Sequence, residues 1–282
     1  MKKFLLIFLP LGFIAFAAII ILNLPQKVAQ KIPGNFQLSN VLQSENFVKP
    51  APDTELWIPI LVYHRIGIAP RNAGSVYKSL TIEPEWFEKH LQYLKENNFE
   101  TVKFSDVAEF FETGRPLPIA VGKKPIMINF DDGYKDFYEN AFPILQKYNM
   151  AGTVFIIVKS AGNGTYMNWD QLKEISAAGI EIGAHTMYHP ALTASKKAKW
   201  EIEESKRELE ERLGVSVTAF AYPSGKWNSY IEGLVKNAGY KSARSFTTGN
   251  GISLKNLFHI PVVRVYANVG LERWKNQLYK PI

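Results

Sequence analysis

Cysteine is absent from this 282-residue chain. No disulfide framework or thiolate zinc site is available, so any metal must be held by histidine, aspartate or glutamate. A cysteine-free chain also suits an extracytoplasmic protein. No block of lysine and arginine stands out, which argues against nucleic acid as a partner. Internal repeats and low-complexity tracts are missing as well. With 46% hydrophobic residues, a single domain of about 200–250 residues with a substantial core is the default. The formal net charge of +7 is modest. It suits an anionic envelope or polyanion, and it serves simple solubility equally well.

The N-terminus does carry a long apolar run. Phe4 to Leu24 holds no charge and follows Lys2 and Lys3. At about 1.5 Å per residue such a helix reaches across a ~30 Å hydrocarbon core. The exit, Leu24-Pro25-Gln26-Lys27, is a poor cleavage site, so residues 1–24 read as an uncleaved anchor rather than a removed signal. The leading lysines place the N-terminus inside and the rest outside, as a single-pass membrane protein. Residues 25–56, with Pro25, Pro33, Pro50 and Pro52, read as a spacer.

Residues 57–282 read as the functional domain. Apolar strands alternate there with amphipathic helices. Strands are expected at 58–63, 125–130, 153–158, 180–184, 217–221 and 262–266. Helices are expected at 83–97, 138–148, 169–178, 196–213 and 229–238. This alternation implies a parallel sheet, open or closed into a barrel. In either form, functional groups collect at the carboxyl ends of the strands. Two segments stand there. Asn129-Phe130-Asp131-Asp132-Gly133 puts adjacent carboxylates at the end of one apolar run, and His185-Thr186-Met187-Tyr188-His189-Pro190 puts two imidazoles after another. Together they supply a two-histidine, one-carboxylate site for a divalent metal and a spare carboxylate as base, the equipment of a metal-assisted hydrolase. Successive strand residues point to opposite faces. Both aspartates can therefore serve one site only if the strand has ended, and Gly133 makes that turn plausible.

These segments resemble the first two motifs of the polysaccharide deacetylase family, the NodB-homology group or carbohydrate esterase family 4. Phe220-Ala221-Tyr222-Pro223-Ser224-Gly225 resembles a variant of its third motif. Val62-Tyr63-His64 and Asn168-Trp169-Asp170 are also similar to this group. The resemblance covers residues 57 to about 266. It implies a distorted (β/α) barrel and N- or O-deacetylation of a glycan. It further implies Asp132, His185 and His189 as metal ligands and Asp131 as general base. Zn²⁺ is the leading candidate, and other divalent ions fit the same ligands. By the same resemblance the Tyr222 amide stabilises the oxyanion, with Pro223 shaping its loop.

The chain departs from the family pattern twice. Ala221 stands where an arginine usually orients the base, and Arg264 on the last strand is the expected substitute. The final histidine motif is missing. His64, after the first strand, is expected at the active site instead, as acid or substrate contact. His90 reads as structural. Tyr134, Trp169 and Trp227 are candidates to stack on sugar faces.

The expected activity is removal of N-acetyl groups from an N-acetylglucosamine-type polysaccharide, with no obligate protein partner. An O-acetyl glycan esterase would use the same site. A glycoside hydrolase suits the residues poorly, because its carboxylates stand about 5–9 Å apart and the histidines would lack a role. A non-catalytic glycan-binding protein on the same fold is the remaining alternative.

Overall fold

The computed structural model describes residues 47–279. Twelve strands are found among them: β1 Glu55–Trp57, β2 Ile60–Tyr63, β3 Arg65–Ile66, β4 Thr81–Ile82, β5 Phe99–Thr101, β6 Lys124–Phe130, β7 Thr153–Ile156, β8 Glu181–Ala184, β9 Ala219–Ala221, β10 Ser242–Thr248, β11 Gly251–Ser253 and β12 Ile260–Arg264. Seven of them close a parallel ring in the order β2-β12-β10-β9-β8-β7-β6, with β6 pairing back to β2. β5 is an added parallel neighbour of β6. The expected alternation thus closes into a barrel, consistent with the NodB-type (β/α) architecture.

Alternation along the strands builds two apolar layers. Val62, Met127, Phe155, Ala219, Ala221 and Val262 form one cluster, which fills the barrel. Their sequence neighbours, such as Leu61, Ile128, Val154, Phe220 and Val263, form the second cluster under the helices. A side-chain period of two produces this division. Gly183 belongs to the inner set, and a Cβ there would lie 2.5 Å from the Phe155 ring. Glycine at this point lets Phe155 occupy the interior.

The helices Pro84–Glu96, Trp169–Ala177, Ala198–Leu213 and Ser229–Asn237 match the expected segments to within two residues. Asn168 caps the second of these, its side chain accepting from Gln171 N while Gln171 returns the bond. The 138–148 segment differs. It opens as a π-helical turn, Phe137–Ala141, and becomes α-helical only over Phe142–Lys147. The apolar pattern did not show β5, β10, the antiparallel β1–β11 pair, the β3–β4 pair or the helices Ser75–Leu80, Phe104–Thr113 and Leu271–Gln277. The spacer boundary shifts accordingly, because Glu55 and Leu56 already pair with Ser253 and Ile252. No helix among the described residues is long and apolar enough to cross a membrane. The apolar run Phe4 to Leu24 lies outside the described residues.

His90 is buried beneath this shell, as a structural residue would be. Its Nδ1 meets the Tyr63 hydroxyl at 3.0 Å, and its ring lies flat on Trp274 at 4.0 Å. Burial pulls its pKa down to about 3, and burial likewise pulls His64 and His185 down to about 4. Below about pH 6.5 the unfolded chain therefore binds protons that the folded chain refuses. Stability is fully present above that pH and is lost as pH falls, at ~1.4 kcal/mol per pH unit per histidine. Urea titrations of metal-free protein are expected to show the midpoint dropping steadily from pH 6.5 to 4.5. A flat profile would contradict the neutral, buried assignment.

Candidate active site

β6 ends at Phe130, and the next three residues build the centre of the site. Asp131 continues the inward-facing parity of Met127 and Asn129 and is 1% exposed. Asp132 then takes φ +71° and Gly133 φ +79°. This left-handed turn swings the second carboxylate to the same side as the first, as the strand-ending argument requires. For Asp132 it is also a costly conformation, of the kind that concentrates at functional sites. Thr186 (φ +68°) and His189 (φ +59°) repeat it in the histidine loop after β8.

Asp132 Oδ1 stands 3.7 Å from His185 Nε2 and 3.9 Å from His189 Nε2. All three donor atoms lie within 4.8 Å of one another. The tautomer of His185 is set by its other nitrogen, because Nδ1–H donates to the Ala221 carbonyl at 2.7 Å. That leaves the Nε2 lone pair turned to Asp132, the arrangement metal-ligating histidines use. Two neutral imidazoles and one carboxylate fit a divalent cation and leave positions open for water and substrate.

Glu201 anchors the histidine loop. This buried carboxylate accepts from the amides of Met187 (2.9 Å) and Tyr188 (3.0 Å). Sequence reasoning missed it, because it sits in a long charged helix among many glutamates. Glu201→Ala is expected to free the loop and weaken metal affinity about tenfold, in line with other outer-shell losses. A competition titration with a chelating dye measures this.

The guanidinium at Asp131 comes from Arg244 on β10, not from Arg264. Arg244 is fully buried, pairs with Asp131 Oδ1, and lies between the Phe155 and Phe246 rings at 4.8 and 5.2 Å. Its burial pulls its pKa down from the usual guanidinium value. Arg264 is exposed at the end of β12, over Phe246 and Tyr266, and makes no ion pair among the described residues. Ala221 explains the exchange. It is the register partner of Arg244 on the adjacent strand, and its methyl group leaves room for the neighbour's side chain.

His64 does reach the site, with Nε2 3.7 Å from Asp131 Oδ2. The Tyr222 amide does not serve as expected, since it donates to the Arg244 carbonyl at 3.2 Å. Pro223 is buried in the following turn. There the amides of Gly225 and Lys226 are bonded, whereas the Ser224 amide, at φ +54°, has no partner among the described residues. Tyr134 stacks on Tyr166 at 5.0 Å and carries the Arg65 guanidinium at 3.5 Å. The Asp132 carboxylate is close enough to help raise its phenol pKa, after the larger effect of burial. Trp227 lies flat on His259 at 4.1 Å. Trp169 is half-buried against the core, with Arg212 over its ring at 4.6 Å.

A family model described as polysaccharide deacetylase matches residues 119–243, a span that contains all three motif segments. Over that span the chain matches the polysaccharide deacetylase family. Among its relatives, the protein YxkH of Bacillus subtilis is 29% identical over 231 residues, covering 77% of each chain. The poly-beta-1,6-N-acetyl-D-glucosamine N-deacetylase of Staphylococcus aureus is 27% identical, covering 73% of this chain and 77% of that one. The structure of the Streptococcus pyogenes deacetylase PplD in complex with acetate superposes with a TM-score of 0.72 at 28% identity, covering 80% of this chain and all of that one.

Proposed function

We propose that this polysaccharide deacetylase removes N-acetyl groups from an N-acetylglucosamine-type polymer outside the cytoplasm, releasing acetate. The observation that carries the reading is the convergence of Asp132, His185 and His189 on one point beside Asp131. Likeness to a curated N-deacetylase supports the N-acetyl choice. The apolar run at 4–24 would tether the domain at the cell surface.

A divalent cation held by the three ligands would polarise the acetyl carbonyl and make a water easier to deprotonate. Asp131 takes the proton from that water as its oxygen attacks the carbonyl carbon. Arg244 keeps Asp131 ionised and aimed, because an opposite charge in a buried site favours the charged carboxylate. The unpaired Ser224 amide is the backbone donor available to the oxygen that gains charge. As the carbon–nitrogen bond breaks, the leaving nitrogen needs a proton. His64, neutral through burial and close to Asp131, is placed to pass it on.

Acetate release from N-acetylglucosamine oligomers and from O-acetylated xylan tests this reading. The oligomers are expected to be the better substrate, with activity lost to a chelator and restored by Zn²⁺. Release from xylan alone would make the protein an O-acetyl esterase. Shortened chains would make it a glycoside hydrolase.

A further inference from the structure

Arg65 lies within a stack of planar groups drawn from four separate segments. Its guanidinium sits 4.7 Å over the Tyr77 ring and 3.5 Å over the Tyr134 ring. Tyr134 in turn stacks on Tyr166 at 5.0 Å, with ring planes 27° apart. Arg65 opens β3 directly after His64, Tyr77 belongs to the helix Ser75–Leu80, and Tyr134 stands two residues after Asp132. The guanidinium is also held at its edge. Its Nη1 donates to Asp136 Oδ2 at 2.9 Å, and Asp136 Oδ1 accepts from the Ile66 amide at 3.3 Å. The backbone on either side of Tyr134 is strapped as well: Met167 N donates to Gly133 O at 3.0 Å and Lys135 N to Thr165 O at 2.8 Å.

An aromatic ring has two faces. A guanidinium 3.5 Å above the centroid fills one, so the stacked Tyr166 ring occupies the other, and Tyr134 has no face left for a sugar. Its hydroxyl edge remains. The group this hydroxyl reaches is the Asp132 carboxylate, which accepts a hydrogen bond from it. Asp132 is a residue that needs such a donor. It adopts φ +71°, and its Oδ1 stands within 3.9 Å of the Nε2 atoms of both His185 and His189. A ligand carboxylate on a strained turn rotates about its own bonds unless an outer group fixes it. Loss of such an outer partner costs about 10- to 100-fold in metal affinity.

We infer that Tyr134 is a positioning residue of the metal site: its hydroxyl fixes the Asp132 carboxylate for the ion, and Arg65 acts through it by fixing the ring. This rests on the metal-site reading and deepens it. Tyr134→Phe keeps the stack and removes only the hydroxyl. In full-length protein it should weaken Zn²⁺ about tenfold in competition with a chelating dye, and leave the urea midpoint of the metal-free protein unchanged. Arg65→Ala should weaken Zn²⁺ by itself, yet cause no further loss in the Tyr134→Phe background. A merely structural arginine would add its loss in both backgrounds. Unchanged Zn²⁺ affinity in Tyr134→Phe would overturn the inference and leave the metal reading standing. So would full additivity of the two losses. Wild-type protein that takes up no Zn²⁺ would end the metal reading and this inference together.

Discussion

An Asp132→Ala protein is expected to lose both its metal and its activity, while Asp131→Asn keeps the first and loses the second. The two carboxylates are neighbours in sequence, yet they face different groups. Among the described residues, Asp132 is the carboxylate that joins His185 and His189 in the candidate cluster. Removing it leaves two imidazoles, and the carbonyl polarisation lost with the ion is worth several kcal/mol, roughly a thousandfold or more in rate. Asp131 meets Arg244 and His64 instead. Asp131→Asn keeps the shape and removes the base, for an expected loss of about 10²- to 10⁴-fold in kcat with metal content intact. Metal analysis and acetate release on the same preparations separate the two outcomes. Equal metal loss in both variants would collapse the division of labour.

Arg244→Met should cost far more than Arg264→Ala. Arg244 and Asp131 are both enclosed, so removing the cation leaves an uncompensated buried charge, and breaking such a pair costs about 3–5 kcal/mol. The carboxylate then relieves itself by binding a proton. Its pKa rises, so the acidic limb of the kcat/KM profile moves to higher pH and activity returns in part at alkaline pH. A merely structural arginine would not produce that shift. Arg264→Ala removes a side chain already in solvent and should stay within about threefold of wild type. The reverse ranking would restore Arg264 as the orienting cation.

Arg244 also shows where sequence reading stops. Asp131, Asp132, His185 and His189 were legible because each follows a strongly apolar strand and because their residue types suit one chemistry. Even the turn at Asp132 follows from the rule that strand neighbours face apart. β10, by contrast, reads Ser-Ala-Arg-Ser-Phe-Thr-Thr. Its inward positions hold Ser242, Arg244 and Phe246, so its polarity resembles a loop. Its strand character comes from pairing with β9 and β12, which is tertiary context. A signal was nevertheless present: strand–helix alternation leaves a gap between the helix ending near 238 and the last strand, and that gap contains an arginine. Tyr222 failed for a related reason. Whether an amide is free depends on the register of β9 against β10, and only the fold reveals that Tyr222 is taken while Ser224 is not.

The most direct test is anomalous diffraction from crystals of the protein loaded with Zn²⁺. One peak is expected, at about 2.0–2.2 Å from an Asp132 oxygen and from the Nε2 atoms of His185 and His189, with Asp131 outside the ligand set. An ion held by other residues, or none at these three, would contradict the account.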